Sequence, residues 1–333
     1  MQHRRLGKAG PLVSTIGLGC MGMSSGIYGP SDRAEGIATI HAALDAGVTL
    51  FDTGDFYGMG HNEMLLGEAL RGTKRDQAVV SVKFGGMRAP GGEMGGFDAR
   101  PVAVRNFLAY SLQRLGLDYV DIYRPARLDR AVPIEDTVGA IADLIQAGYV
   151  RHVGLSEVGE ETIRRAVATH PVVDVQIEYS IMSRAIEDRI LPACRELGVG
   201  ITAYGVLSRG LMSSSFQKGD YPAGDIRTRS PRFEAKNLKA NLTLVEGLRA
   251  VADRNGINVV QLAFAWVTAQ GPDIVPLVGA RRPAQLLEAL ASMGKTLMPD
   301  DLAAVAAAVP KGAAAGTRYG PAQMADLDSE RGG

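Results

Sequence analysis

The chain has 333 residues, with 36 basic and 36 acidic side chains, five histidines and two cysteines. The charge balance excludes a general electrostatic attraction to nucleic acid or an anionic membrane, and Cys20 and Cys194 are too few for a disulfide scaffold or a cysteine zinc site. The polar start "MQHRRLGKAG" lacks the apolar stretch of a signal peptide, and no run approaches the roughly 18 apolar residues of a membrane span, so a cytoplasmic protein is expected.

In chain order, "HRRLGKAGPLVS" reads as a small hairpin turning at 7–10, placed to close the floor of a barrel. The first parallel strand, "TIGLG" at 15–19, runs into "GLGCMG" at 17–22, a G-x-G-x-x-G pattern. A dinucleotide turn of the Rossmann kind needs a helix directly after those glycines. The turn formers "SSGIYGP" at 24–30 forbid one, so this is a strand-to-loop exit.

Further strands are "VTLFD" at 48–52, "AVVSVK" at 78–83, "YVDIY" at 119–123, "VRHVGL" at 150–155, "VVDVQIE" at 172–178, "VGITAY" at 199–204 and "DIVPLVG" at 273–279. Helical stretches at 32–46, 63–70, 101–115, 134–147, 161–170, 186–197, 259–269 and 283–293 lie between or after them. Gly47, Gly116, Gly148 and Gly198 punctuate the joints. Such alternation without a biased linker predicts an α/β protein with a single (β/α)8 TIM barrel, an N-terminal hairpin and long loops at the C-terminal face, one domain over 1–333. The long loops are the glycine-rich 84–98 and 205–236, expected to wall the site.

Barrel enzymes place their chemistry at the C-terminal strand ends. Asp52, Asp55 and Tyr57 follow the second strand in "FDTGDFYG", and Lys83 ends the third. A tyrosine, a lysine and an aspartate at one mouth form a proton-transfer set. An adjacent ammonium stabilises phenolate and lowers the phenol pKa, while the aspartate aims the ammonium. His61, His152 and His170 lack metal-ligand spacing, and no metal is expected. Met21, Met23, Met87 and Met94 gather near the first and third loops, as pocket lining or ordinary packing.

These segments resemble the aldo-keto reductases from about residue 5 to about residue 290. "FDTGDFYG" resembles the family's F-D-T-A-x-x-Y-G, "NEMLLGEAL" at 62–70 its N-E-x-x-L-G-x-A-L, and "SVKFG" its catalytic-lysine strand. "HVGLSE" at 152–157, "VQIEYS" at 175–180, "AYGVLSRG" at 203–210 and "PLVGARRPAQLLEAL" at 276–290 follow in order. The resemblance implies NADPH-dependent, reversible reduction of an aldehyde or ketone, with Asp52, Tyr57 and Lys83 catalytic and Tyr57 the proton donor. It implies that Ser156 and Gln176 hold the nicotinamide carboxamide, and that Tyr204 stacks on the ring. Gly205, Leu207, Ser208 and Gly210 would follow the pyrophosphate. Arg281 and Arg282 would grip the 2′-phosphate, favouring NADPH over NADH, with Gln285 and Glu288 near the adenine. Gly19, Cys20, Met21, Asp52 and Gly279 complete the expected cofactor set.

One position departs. The family's fourth strand reads like D-L-Y-x-x-H, its histidine donating to the substrate carbonyl, whereas "DIYRPARLD" places Ala126 there. Losing one oxyanion donor without replacement costs about 10²–10³ in rate. Three readings follow: Tyr57 suffices alone, or Arg124, two residues back on the same strand face, replaces the histidine unless Pro125 disturbs it, or turnover has been given up. The last makes a cofactor-binding sensor resembling the potassium-channel β-subunits; intact Asp52, Tyr57 and Lys83 favour the reductase. The expected substrate pocket is Tyr57, Arg124 and Ala126. Glu157 stands where many relatives have asparagine, and a carboxylate accepts but cannot donate to an amide oxygen. The expected partner is a small carbonyl compound, the expected state a monomer.

Overall fold

The computed structural model describes residues 1–214, 216, 221–222 and 224–331. Strands β1 (His3–Arg5) and β2 (Leu12–Ser14) form an antiparallel hairpin. The parallel strands β3 (Gly17–Gly19), β4 (Leu50–Gly54) and β5 (Val79–Phe84) follow. A second small hairpin, β6 (Gly86–Arg88) with β7 (Met94–Phe97), intervenes before β8 (Val120–Pro125), β9 (Val150–Ser156), β10 (Val172–Glu178), β11 (Gly200–Tyr204) and β12 (Ile274–Gly279). Strands β3, β4, β5, β8, β9, β10, β11 and β12 pair in that cyclic order and close a barrel. This is the expected (β/α)8 architecture, with each of the eight expected strands in it.

The helices are α1 (Arg33–Asp45), α2 (His61–Ala69), α3 (Pro101–Leu115), α4 (Ile134–Gln146), α5 (Glu160–Thr169), α6 (Ile190–Leu197), α7 (Ala235–Arg254), α8 (Val259–Ala269), α9 (Pro283–Leu290), α10 (Pro299–Ala308) and α11 (Pro321–Asp326). Local chemistry sets several ends. Asp32 accepts from the Glu35 N–H to start α1, Asn258 and Gln261 form a capping box on α8, and Gly116 and Gly198 close α3 and α6 in left-handed backbone. The sixth helix starts later than expected, at Ile190, because Arg189 leaves helical geometry after a short turn over Ala185–Glu187. The longest helix, α7, begins at the end of the expected 205–236 loop and fills a stretch for which no element was expected. No helix among the described residues is long and apolar enough to cross a membrane.

Strand alternation sorts side chains into two cores. Phe51, Val80, Val82, Tyr123, Val153 and Val175 face outwards and pack beneath the helices. Leu50, Ile122, Val173, Val275 and Leu277 face inwards and enclose Leu6 and Val13 of the hairpin. The hairpin thus plugs the barrel floor. Its turn requires glycine: Gly7 has φ +67°, and a Cβ there would stand 2.2 Å from the Val173 carbonyl oxygen. Above this plug the interior becomes polar.

Candidate functional site

Asp52, Ser81, Lys83 and Gln176 project from β4, β5 and β10 and are almost wholly buried. The Lys83 ammonium pairs with Asp52 Oδ1 and donates to Gln176 Oε1 at 2.8 Å. Gln176 Nε2 returns a bond to Asp52 Oδ2 at 2.7 Å, and Ser81 Oγ donates to the same oxygen at 3.0 Å. Burial pulls the Lys83 pKa down, opposed by Asp52. The Gln176 amide, expected at the carboxamide, is therefore closed into a ring with Asp52 and Lys83.

One layer deeper lies Arg124. It is completely buried, donating to Asp174 Oδ2 at 2.9 Å, to the Leu155 carbonyl at 3.2 Å and to Ser81 Oγ at 3.0 Å, while Thr202 also donates to Asp174. Gly154 makes the room: a Cβ there would meet Asp174 Oδ1 at 2.8 Å and Arg124 Cζ at 3.0 Å. This corrects the expectation that Arg124 lines the substrate pocket and replaces the missing histidine. Its charge is committed to Asp174 beneath Lys83.

Tyr57 stands in the loop after β4, followed by Gly58, Met59 and Gly60, all in left-handed backbone. Its ring packs edge-on against Phe56, with the Lys83 ammonium 5.1 Å from its centroid. The hydroxyl makes no hydrogen bond to the described residues. Burial, followed by Asp52, pushes its pKa well above the ordinary value, and Arg127 opposes them. The expected lowering by Lys83 is thus outweighed, and the phenol keeps its proton. Asp55 faces elsewhere: it accepts the Gly85 N–H at 3.0 Å, and burial lifts its pKa to about 7 despite that bond.

Ala126 is buried directly after β8, its N–H donating to the Phe84 carbonyl at 2.8 Å. The neighbouring Arg127 is half-buried, gives a 2.6 Å bond to the Ala126 carbonyl and lies 5.9 Å from the Tyr319 ring centroid. A period-two reading could not find it, because β8 ends at Pro125 and the alternation stops there. Arg318 and Tyr319 were also missed. Arg318 grips the Glu157 carboxylate with both terminal nitrogens, at 2.8 and 3.0 Å, and donates to Glu330. Glu157, in left-handed backbone at φ 53°, also accepts from the Tyr204 hydroxyl at 2.7 Å and from Ser329 Oγ at 2.7 Å. Burial alone would raise its pKa, yet Arg318 brings it down to about 2. The Tyr204 hydroxyl lies 2.8 Å from that of Tyr319.

The other expected cofactor residues gather at the same face. Ser156 is buried at the end of β9, and its hydroxyl has no partner among the described residues. Ser208, Arg209 and Gly210 run through left-handed backbone, with the buried Ser208 Oγ also without a partner. A turn of this kind with an unfilled polar atom fits an anionic diphosphate. Arg282 is exposed and pairs with Glu35 at 3.2 Å, whereas Arg281 donates from its guanidinium to the Tyr28 and Pro30 carbonyls and from its backbone N–H to Gln285 Oε1. Glu288 accepts from Ser214 and Asn258. Cys20 is buried beside Asp52, and burial raises its thiol pKa strongly. Gly19 and Gly279 pair across β3 and β12, with Met21 in the turn after β3 and Gly205 and Leu207 opening the loop after β11. The methionines do not form one lining: Met23 is core, and Met87 and Met94 are exposed on the β6–β7 hairpin. Part of 205–236 lies outside the described residues.

The profile of the aldo/keto reductase family matches residues 15–310. A probable aldo-keto reductase of Glycine max is 39% identical over 319 residues, covering 96% of this chain and 92% of its own length. The glycerol dehydrogenase of Gluconobacter oxydans superposes with a TM-score of 0.84 at 29% identity, over 93% of this chain and 95% of that one. An aldo-keto reductase of Bacillus halodurans, solved in its holo form, gives 0.77 at 25% identity over 93% and 96%. The chain belongs to the aldo/keto reductase family of oxidoreductases.

Proposed function

We propose that this protein reduces an aldehyde or ketone to the alcohol with NADPH, reversibly, and that Tyr57 donates the proton. The observation that carries this reading is the Tyr57 hydroxyl: protonated, without a partner among the described residues, and close to a lysine whose charge is already held by Asp52. Ser156 and Gln176 would receive the carboxamide, Tyr204 the ring, the Gly205–Leu207–Ser208–Gly210 turn the pyrophosphate, and Arg281 and Arg282 the 2′-phosphate. Bound there, the reduced nicotinamide supplies hydride to the carbonyl carbon. Negative charge then develops on the oxygen, where the phenol releases its proton as general acid. Lys83 stabilises the phenolate left behind, and Asp52, fixed by Ser81 and Gln176, keeps that ammonium in place. Ala126, which offers no side-chain donor, favours a second reading as an NADP(H)-binding sensor resembling the potassium-channel β-subunits.

Steady-state loss of NADPH absorbance over aromatic, aliphatic, cyclic and sugar-derived carbonyls separates the two. Turnover that Tyr57→Phe largely abolishes, with NADPH binding kept, supports the reductase. Tight NADPH binding without turnover on any carbonyl supports the sensor.

A further inference from the structure

We propose that Arg127 provides the second hydrogen bond to the substrate carbonyl oxygen, beside Tyr57, and so does the work for which Ala126 has no side chain. This assignment rests on the reductase reading. Most other cationic and hydroxyl donors around the mouth are already spent. Lys83 serves Asp52 and Gln176, Arg124 serves Asp174, and Arg318 serves Glu157 and Glu330. The Tyr204 hydroxyl donates to Glu157 at 2.7 Å, while Arg209 spends one donor on Ser230 Oγ at 2.6 Å. Arg127, like Arg209, forms no ion pair among the described residues and makes a single hydrogen bond, but its bond goes to the Ala126 carbonyl, whereas Arg209 sits in the loop after β11.

A guanidinium carries five N–H donors, so most of those on Arg127 are uncommitted. The bond to Ala126 anchors the group next to the position from which a donor is missing. Its field also reaches the phenol, since Arg127 opposes the rise of the Tyr57 pKa; burial works against the Arg127 cation, but Tyr319, Tyr204, Glu157 and Tyr57 together outweigh it. As the carbonyl becomes an alcohol, its π pair moves onto oxygen and the Tyr57 proton forms the new O–H bond. Arg127 lends a hydrogen bond to that charge and keeps all its protons, because arginine does not deprotonate in this range. Tyr57 therefore remains the sole acid.

The test compares the intact protein with R127A, R127K and R127A/A126H on neutral and carboxylate-bearing carbonyls, alongside NADPH binding by fluorescence and thermal melting. Loss of a carbonyl donor predicts that R127A lowers kcat about 100-fold on both substrate classes, with NADPH affinity unchanged. A histidine at 126 in that background restores kcat at least in part. R127K retains turnover and gains a decline in kcat as its ammonium titrates near pH ~10, which a structural arginine would not produce. Wild-type kcat in R127A, or a loss confined to KM for anionic substrates, overturns the assignment and leaves the reductase reading standing. If R127A melts out, R127K decides alone, and the absence of a new basic limb overturns the proposal. No turnover by the unaltered protein on any carbonyl overturns both.

Discussion

Arg318→Ala tests how the segment after α10 is held to the barrel mouth. The guanidinium makes two bonds to the fully buried Glu157 carboxylate and is itself only 8% exposed. Removing it leaves a buried carboxylate facing neutral donors, and breaking a buried pair from one side costs about 3–5 kcal/mol. The titration of Glu157 gives a similar figure: a shift from 4.5 to about 2 corresponds to about 3 kcal/mol at neutral pH. Because the folded pKa is the lower one, this stability is complete above the unfolded value and is lost as pH falls from about 4.5 towards 2. Arg318→Ala should therefore melt lower than the unaltered protein at pH 7.5, by roughly 4–7 °C, with the gap narrowing under acid. Chymotrypsin should also cut sooner at Tyr319, since the released segment can detach before the barrel opens. Equal melting at pH 7.5 and equal protection of Tyr319 would refute the argument.

Three further outcomes follow from named contacts. The Asp55 carboxyl holds its proton to about pH 7 in the folded protein against 3.8 unfolded, so stability falls as pH rises between those values. Asp55→Asn should flatten that fall, raising the denaturation midpoint more at pH 8 than at pH 4; parallel pH curves for the two proteins would show that burial of this charge is immaterial. Arg281→Ala with Arg282→Ala should weaken NADPH binding at least tenfold and leave NADH nearly unchanged, measured by fluorescence titration; equal losses for both would place the 2′-phosphate elsewhere. Gly154→Ala forces a Cβ against Asp174 and Arg124, an overpacking that costs about 1–3 kcal/mol, and chemical denaturation should register it.

Much of the barrel was readable because each strand carries a short β-branched run bounded by glycine or proline, and the inward–outward alternation survives in the two cores. Helix α7 was obscured because it follows a long loop and carries Asn241, Thr243 and Gly247 within its length. Its buried face of Leu238, Asn241, Val245, Leu248 and Ala252 nonetheless has helical spacing. At the mouth, Asp52, Tyr57 and Lys83 were legible as residues bunched at adjacent strand ends. Arg124 was misassigned because period-two geometry gives a face but no depth, and its partner Asp174 lies two strands away in the barrel. Arg127 and the Glu157–Arg318 pair were invisible for different reasons: one sits just past the end of a strand, and the other joins residues 161 apart in the chain.

That separation bears on how the molecule is made. With domains forming during synthesis at about 5–20 residues per second, Glu157 emerges roughly 8–30 s before its counter-ion is translated. During that interval the carboxylate has water or a proton for company, and the Tyr204 side of the mouth lacks the lock supplied by Arg318 and Tyr319. The barrel wall can therefore form on the ribosome well ahead of a finished catalytic mouth, and folding intermediates of this chain should acquire their strands before their competence.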